Sequence, residues 1–232
     1  MSELPVETWS NVITYLGRNW KHGEHMLIIG PTGTGKTYAL SDMIVNRPFT
    51  IVVCTKGTDE TLVKRLLSKK NWVRFRSVTD FERRKRWQRN IVFWPDIPTL
   101  EHVDDLIPQL AALLNYCYTD KHWTVVIDDA EHVSERLQQR QRVQDLLQIS
   151  RGEGVTMVII SQRPAWLPVT VYDSVTYALC YLESDERLDT PRFSQLTRIS
   201  VDSWKKLVSN AKPRSAVFTL RRKKLSVLTT VS

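Results

Sequence analysis

A glycine-rich turn early in the chain has the spacing of a phosphate-binding loop. Residues 30–37 read GPTGTGKT, a full match to GxxxxGK[ST], and they stand between a predicted strand and a predicted helix. Such backbone turns its N–H groups around a phosphate, and the helix start adds a favourable dipole. We expect Lys36 to reach the β- and γ-phosphates of ATP and Thr37 to ligate Mg²⁺. The predicted nucleotide-binding residues are Gly30, Pro31, Thr32, Gly33, Thr34, Gly35, Lys36 and Thr37.

Acidic residues follow a second apolar run. Asp128 and Asp129 come after the β-favouring residues 124–127, at the strand end where ligands bind in α/β proteins. We expect Asp128 to hold Mg²⁺, although it is also placed to cap the next helix. The following acid would orient or deprotonate water. Asp129 is one methylene shorter than the glutamate common at this position in hydrolytic P-loop ATPases, so the base is either Asp129 or Glu131.

A polar amide ends a third predicted strand. Gln162 follows the apolar residues 155–160 and Ser161. At a strand end beside the phosphate loop, an amide can touch both the γ-phosphate and the attacking water, which predicts a sensor role for Gln162. The alternative is an ordinary hydrogen bond within a loop.

The elements that must position these residues alternate along the chain. Apolar periodicity predicts helices over 8–20, 36–46, 59–67, 80–89, 100–117, 133–150 and 201–209. It predicts strands over 26–29, 49–54, 73–78, 91–94, 124–127, 155–161 and 175–182, then a hairpin of 216–220 with 225–229. Pro108 predicts a kink or split in its helix. The alternation predicts an α/β fold with a mostly parallel sheet, helices on both faces and a C-terminal β-hairpin.

One domain over residues 1–232 accounts for this order. It comprises an N-terminal helix in 1–22, an ATPase core over 23–185 with a basic insertion at 64–89, and a C-terminal helix and hairpin in 186–232. The apolar runs fall short of the roughly 20 residues of a membrane span. Cys54, Cys117 and Cys180 form no CxxC pair and lie in apolar stretches. We therefore expect an intracellular, soluble protein with reduced core thiols.

The positive charge is concentrated in the basic insertion. The net charge is +8, and residues 64–89 hold eleven basic side chains against two acidic ones, a local charge of +9. This excess predicts a polyanionic partner, and the alternative is a solvated helix face. The densest run supplies the candidate DNA-binding residues Arg83, Arg84, Lys85, Arg86 and Arg89. The interleaved Trp72, Phe75 and Trp87 are interpreted as core anchors, with base stacking as the alternative.

These motifs, in this order, resemble those of the FtsK/HerA superfamily of DNA-pumping ATPases. The resemblance covers about residues 20–185 and is carried by GPTGTGKT at 30–37, VVIDDAEH at 125–132 and SRGEGVTMVIISQRP at 150–164. It implies a RecA-like (ASCE) P-loop core acting as a homo-oligomeric ring, pentamer or hexamer, with an arginine reaching the nucleotide of its neighbour. By position that arginine is Arg151, with Arg163 as second choice.

Within that superfamily the chain is similar to the small genome-packaging ATPases of internal-membrane, double jelly-roll viruses. That similarity implies ATP-driven pumping of double-stranded DNA, independent of its sequence, into a procapsid. It implies a capsid vertex or portal partner, no direct membrane insertion, and a place in the host cytoplasm or at the packaging vertex of the virion. The alternatives are a nucleotide-gated DNA-binding switch or adaptor and, with less support, a small-molecule P-loop kinase. Because the Asp129 side chain is one methylene shorter than glutamate, the nucleotide-gated switch remains an alternative.

Overall fold

Short apolar runs form the strands of the protein, and most are buried along their whole length. A computed structural model describes residues 4–55, 60–85, 87–96, 100–182 and 186–231. The strands are β1 (His25–Ile29), β2 (Thr50–Val53), β3 (Trp72–Phe75), β4 (Asn90–Phe93), β5 (Thr124–Ile127), β6 (Thr156–Ser161), β7 (Val175–Tyr181), β8 (Ser215–Leu220) and β9 (Leu225–Thr230). Such continuous burial is typical of strands in a mostly parallel sheet.

The helices join these strands in the predicted alternation. They are α1 (Trp9–Asn19), α2 (Lys36–Ile44), α3 (Glu60–Leu67), α4 (Val78–Glu82), α5 (Leu106–Asp120), α6 (Arg140–Ile149), α7 (Val169–Ser174), α8 (Glu186–Thr197) and α9 (Val201–Ser209). None of the helices within the described ranges is both long and apolar enough to cross a membrane.

The chain divides into two compact units. The first unit contains residues 1–20, 25–43 and 160–232, and the second contains residues 21–24 and 44–159. In the second unit the strand order is β3-β4-β2-β5-β6, and each strand is parallel to its neighbours within the unit. The carboxyl ends of these strands therefore meet at one edge, which is where Asp128 follows β5.

The first unit carries the strand order β1-β7-β8-β9. β1 is parallel to β7, whereas β7 with β8 and β8 with β9 are antiparallel. The indole N–H of Trp9 donates to Asp42 Oδ2 at 3.0 Å and joins α1 to α2. Phe193 and Trp204 stack with their centroids 4.7 Å apart and join α8 to α9. The predicted mostly parallel sheet and its C-terminal β-hairpin are confirmed.

The predicted basic helix over 80–89 is wrong beyond its first turn. Ser77 and Asp80 form a reciprocal capping box that starts α4 at Val78, and the helix ends at Glu82. Phe81 is the one buried residue of α4. Since the charge run beyond it offers no apolar face to bury, nothing supports a longer helix there.

Two longer predicted helices are divided. The helix over 100–117 splits into a 3₁₀ turn (Leu100–Val103) and α5, and the break precedes Pro108. Pro108 lies in the first turn of α5, where its missing N–H has no intrahelical partner to lose. The helix over 133–150 becomes a π-helical turn (His132–Arg136) and α6, because Gln138 takes a φ of 54° between them. The sequence does not predict α7, which is short, or α8, which contains Pro191.

The three cysteines have the predicted environment. All three are free thiols and buried. Burial raises the pKa of Cys117 and of Cys180 to about 12, so both stay protonated at neutral pH. They are core residues.

Gly23→Ala should destabilise the protein. Gly23 has a φ of +79°, and a Cβ there would lie 2.5 Å from the carbonyl oxygen of Arg151. Left-handed backbone and overpacking together should cost roughly 2–4 kcal/mol. Urea unfolding measures the loss. Gly17→Ala is the matched control, because a Cβ at helical Gly17 has open space and should be neutral or stabilising. Equal midpoints for the two variants would contradict the packing argument.

Candidate nucleotide-binding site

The loop between β1 and α2 has a positive backbone φ at two glycines. Gly33 and Gly35 have φ values of +88° and +101°, a conformation that other residues rarely adopt. A Cβ on Gly33 would have no heavy atom within 4 Å, so the loop is open on that side. Open space beside a strained glycine loop at a helix start fits a phosphate group.

The loop also organises its own side chains. Lys36 Nζ donates to the carbonyls of Gly30 and Pro31, at 2.6 Å in both cases. The Thr34 hydroxyl donates to Pro31 O at 2.9 Å, and Thr34 is only 1% exposed. The ammonium is thus held against the loop, where phosphate oxygens can replace the carbonyls as its partners.

The first unit brings the loop beside the end of β6. The Gly30 N–H donates to Ser161 O at 3.2 Å, and the half-buried Gln162 is the next residue. A Cβ on Gly30 would lie 2.7 Å from Cβ of Tyr181, so the loop start requires glycine for close approach to β7. The loop and the strand end carrying the predicted sensor are therefore neighbours.

The acidic candidates belong to the second unit. Asp128 and Asp129 are half-buried and follow β5 directly. Asp129 Oδ1 accepts the His132 N–H at 3.1 Å, and its carbonyl accepts the Val133 N–H at 3.0 Å. Asp129 therefore caps the helical turn, a role that the sequence analysis weighed for Asp128. Glu131 is half-buried within that turn.

Arg151 lies at the opposite strand edge of the same unit. It is exposed in the turn between α6 and β6, and its carbonyl accepts the Gly154 N–H at 3.2 Å. β5 and β6 are parallel, with Thr124 opposite Thr156. Arg151 precedes β6 and Asp128 follows β5. Roughly 13 Å of strand therefore separates the two ends of the sheet at which these residues lie.

Two cations of the basic insertion pack against aromatic rings. The guanidinium of Arg84 lies 4.0 Å from the Phe81 centroid and pairs with Asp120. That of Arg89 lies 4.8 Å from the Phe49 centroid. Both line a cavity of about 490 Å³ with His22, whose pKa is lowered first by burial and then by the charge of Arg47.

A second concave surface presents exposed cations. Arg74, Arg76, Arg83 and Lys85 line a cleft of about 680 Å³, together with Asp80. Arg83 and Lys85 are exposed. Arg86, predicted from the same run, lies outside the described residues.

The predicted core anchors divide. Trp72 and Phe75 are buried, as predicted. Trp87 is wrong as a core anchor, because it is 66% exposed, with Lys85 Nζ 5.9 Å from its ring centroid. Its ring is open to solvent because the segment after α4 has no helical face that turns inward.

Two residues beside the loop escape sequence reasoning. Tyr38 directly follows the motif and Arg214 directly precedes β8, and the Arg214 guanidinium lies 5.5 Å from the Tyr38 centroid. Tyr38 could have been noted from its position next to Thr37. Arg214 gives no signal in the sequence, because only the antiparallel return of β8 brings it to the loop.

The described residues hold no group of three His, Cys, Asp or Glu side chains able to bind a metal. Mg²⁺ typically binds through one or two carboxylates together with substrate phosphates and water. Thr37 in the first unit and Asp128 in the second are the residues of this kind that the sequence predicts.

No family model matches the chain, and no curated protein matches its sequence. Solved structures match its fold. The genome packaging NTPase B204 from Sulfolobus turreted icosahedral virus 2, in complex with ATP-gammaS, is 15% identical with a TM-score of 0.63, over 90% of this chain and 98% of that chain. B204, the DNA-packaging ATPase from Sulfolobus Turreted Icosahedral Virus, is 15% identical with a TM-score of 0.62, over 90% and 97%.

A third solved structure matches the fold as well. VirB4 of Thermoanaerobacter pseudethanolicus is 12% identical with a TM-score of 0.61, over 90% of this chain and 89% of that chain. At these identities the likeness concerns the fold. It confirms the predicted resemblance at that level: the chain has the P-loop ATPase fold of the viral packaging NTPase B204 and of VirB4.

Proposed function

We propose that the protein is an ATPase that moves double-stranded DNA. The observation that carries the proposal is the loop after β1, with left-handed Gly33 and Gly35 and the Lys36 ammonium 2.6 Å from two loop carbonyls. It occurs on a fold shared with B204, which has been crystallised with ATP-gammaS. Phosphate binding and fold together favour nucleotide hydrolysis.

In this proposal each residue has one task. The N–H groups of residues 33–37 and the Lys36 ammonium bind and orient the β- and γ-phosphates. Thr37 and Asp128 hold Mg²⁺, which neutralises phosphate charge when bound. Asp129 or Glu131 takes the proton of the attacking water, and Gln162 orients that water.

The DNA role rests on the fold and the basic insertion. We infer packaging of double-stranded viral DNA into a procapsid by a homo-oligomeric ring, pentameric or hexameric. A capsid vertex or portal would be its partner, in the host cytoplasm or at the virion vertex. B204 is a packaging ATPase, and the cleft lined by four cations, of which Arg74 and Arg76 pair with Asp96, supports contact with a phosphate backbone.

The exposure of the cations supports a smaller DNA-facing group in this proposal. Arg83 and Lys85 are exposed in the cleft, with Arg74 and Arg76 beside them. Arg84 and Arg89 contribute more to packing, since their guanidinium groups lie on Phe81 and Phe49. The exposed Trp87 ring adds an apolar contact beside Lys85.

DNA-stimulated hydrolysis tests the function. Steady-state ATP turnover should rise with double-stranded DNA at low salt and lose that rise between 50 and 200 mM salt. The double variant Arg83→Gln/Lys85→Gln should bind DNA with a log–log salt slope lower by about 2, because two phosphate contacts are lost. Its DNA-free turnover should stay unchanged.

Lys205→Gln/Lys206→Gln is the matched control, since it removes two exposed lysines from α9 in the first unit. The control should keep the wild-type salt slope. Turnover that ignores DNA at every salt concentration, or equal slopes for all three proteins, would contradict DNA translocation through this cleft.

A nucleotide-gated DNA-binding switch is the second candidate. It is favoured by the hydrogen bond that Asp129 Oδ1 accepts from the His132 N–H, because a carboxylate that caps a turn is less available to water. Under this alternative ATP changes DNA affinity with little turnover, and Asp129→Glu increases turnover. Brisk wild-type turnover that Asp129→Glu leaves unchanged would exclude it.

A further inference from the structure

We propose that Arg214 binds the nucleotide in its own subunit, as a second cation beside the phosphate loop. This inference rests on the proposed ATP site and adds a residue outside its motifs. The loop, Tyr38, Tyr181 and Arg214 all belong to the first unit.

The topology explains how Arg214 reaches the loop. β7 runs parallel to β1, so both strands end at the edge where the loop begins. β8 runs antiparallel to β7 and therefore starts at that edge, with the Leu182 N–H donating to Ser215 O at 3.0 Å. The residue before β8 is Arg214.

The side chain lies against the loop rather than away from it. A Cβ on Gly35 would lie 3.8 Å from both Cγ and Cδ of Arg214, and 3.5 Å from the Tyr181 hydroxyl. The guanidinium continues to 5.5 Å from the centroid of Tyr38, a ring that is 42% exposed. A guanidinium beside an aromatic ring carries its N–H donors in one plane, the geometry that suits phosphate oxygens.

The turn itself does not account for an arginine. Arg214 has a φ of +62°, which glycine or asparagine adopts at lower cost. Its carbonyl accepts the Val231 N–H at 3.1 Å, and the Ser215 N–H donates to Lys212 O at 3.0 Å.

The chemistry suits a polyphosphate. Lys36 donates to the loop carbonyls of Gly30 and Pro31, whereas the Arg214 side chain packs against the loop at Gly35. A triphosphate carries more negative charge than one lysine balances, and a planar guanidinium can bind two phosphate oxygens at once. Arg214 thus extends the cationic lining of the nucleotide site, and Tyr38 positions it.

Nucleotide affinity tests the assignment. Dissociation constants for ATP and ADP are measured by calorimetry on the full chain. Arg214→Gln should raise the Kd of ATP about ten- to hundredfold, because a charge-assisted contact is lost. The Kd of Arg214→Lys for ATP should lie between those of Arg214→Gln and the wild type, since lysine keeps the charge but loses the planar guanidinium that binds two oxygens at once.

Arg198→Gln is the matched control. Arg198 is also exposed, also in the first unit, and has a φ of 58°. It should bind ATP like the wild type. Arg214→Lys keeps the test valid if the glutamine variant does not fold, and Tyr38→Leu, which removes the stacking ring, should weaken ATP binding in the same direction.

The outcomes separate this inference from the proposed function. If Lys36→Ala loses ATP binding while both Arg214 variants bind as the control does, Arg214 is not a nucleotide ligand and the ATP site stands. If Lys36→Ala binds ATP normally, the proposed function itself fails. A loss shared by ATP and ADP places the contact at the α- or β-phosphate, and a loss for ATP alone places it at the γ-phosphate.

Discussion

Lys36→Ala should reduce ATP turnover by roughly 10³-fold, a loss typical of removing one preorganised charge from a transferring phosphate. The ammonium is 2.6 Å from the Gly30 and Pro31 carbonyls and needs only to exchange them for phosphate oxygens. Stability should fall only modestly, because the two lost hydrogen bonds are part-buried and each contributes little net stability. Initial rates of phosphate release measure the effect, and thermal unfolding checks that the variant is intact.

The control separates charge from position. Lys205→Ala removes a lysine from α9 without touching the loop and should turn over ATP at the wild-type rate. Retention of more than about a tenth of the wild-type activity by Lys36→Ala would be inconsistent with phosphoryl transfer at this loop.

Local patterns were enough to predict most of the fold. Thr124–Ile127 and Val201–Ser209 begin and end where the sequence predicts, because apolar spacing and caps act over a few residues. The strand–loop–helix context of residues 30–37 follows from the same short-range rules. The candidate site is predictable wherever one segment carries both the structure and the chemistry.

Features that depend on distant segments were not predictable. The sequence pattern predicted a helix over 80–89, but a helix needs a face to bury and only Phe81 provides one in α4. Trp87 is exposed for the same reason. Arg214 reaches Gly35 only through the β7–β8 pairing, which joins segments far apart in the chain. No sequence motif includes Arg214, so its proposed role could not be predicted from the sequence.

Arg151→Ala is the second variant for which we expect a large effect. The position of Arg151 distinguishes a role at the nucleotide of its own subunit from a role at that of a neighbouring subunit. Arg151 lies at the amino-terminal edge of β6, and Asp128 lies beyond the carboxyl end of β5 in the same unit. An arginine at that edge cannot share a phosphate with the Asp128 of its own chain. If Arg151 acts in catalysis, the nucleotide it serves belongs to a neighbouring subunit.

Arg151→Ala should therefore lose about 10³–10⁵-fold in kcat while binding ATP almost normally. Mixed with the wild type, it should reduce activity more steeply than its fraction if the subunits of the proposed ring hydrolyse ATP in a coordinated order, since one disabled site then stalls the whole ring. Arg140→Ala is the control, because Arg140 is an exposed α6 arginine that pairs with Glu135. Mixing it with the wild type should leave the ATP turnover unchanged.

A linear loss in the mixtures would contradict a coordinated ring, because independent sites lose activity in proportion to the variant fraction. Steep poisoning by Arg163→Ala, with Arg151→Ala neutral, would move the role to the second candidate and leave the ring in place. Because a strand length separates Arg151 from the acidic edge of its own unit, a strong loss of turnover with folding and ATP binding intact would favour action on a neighbouring subunit. The mixing curve therefore tests the ring before its stoichiometry is known.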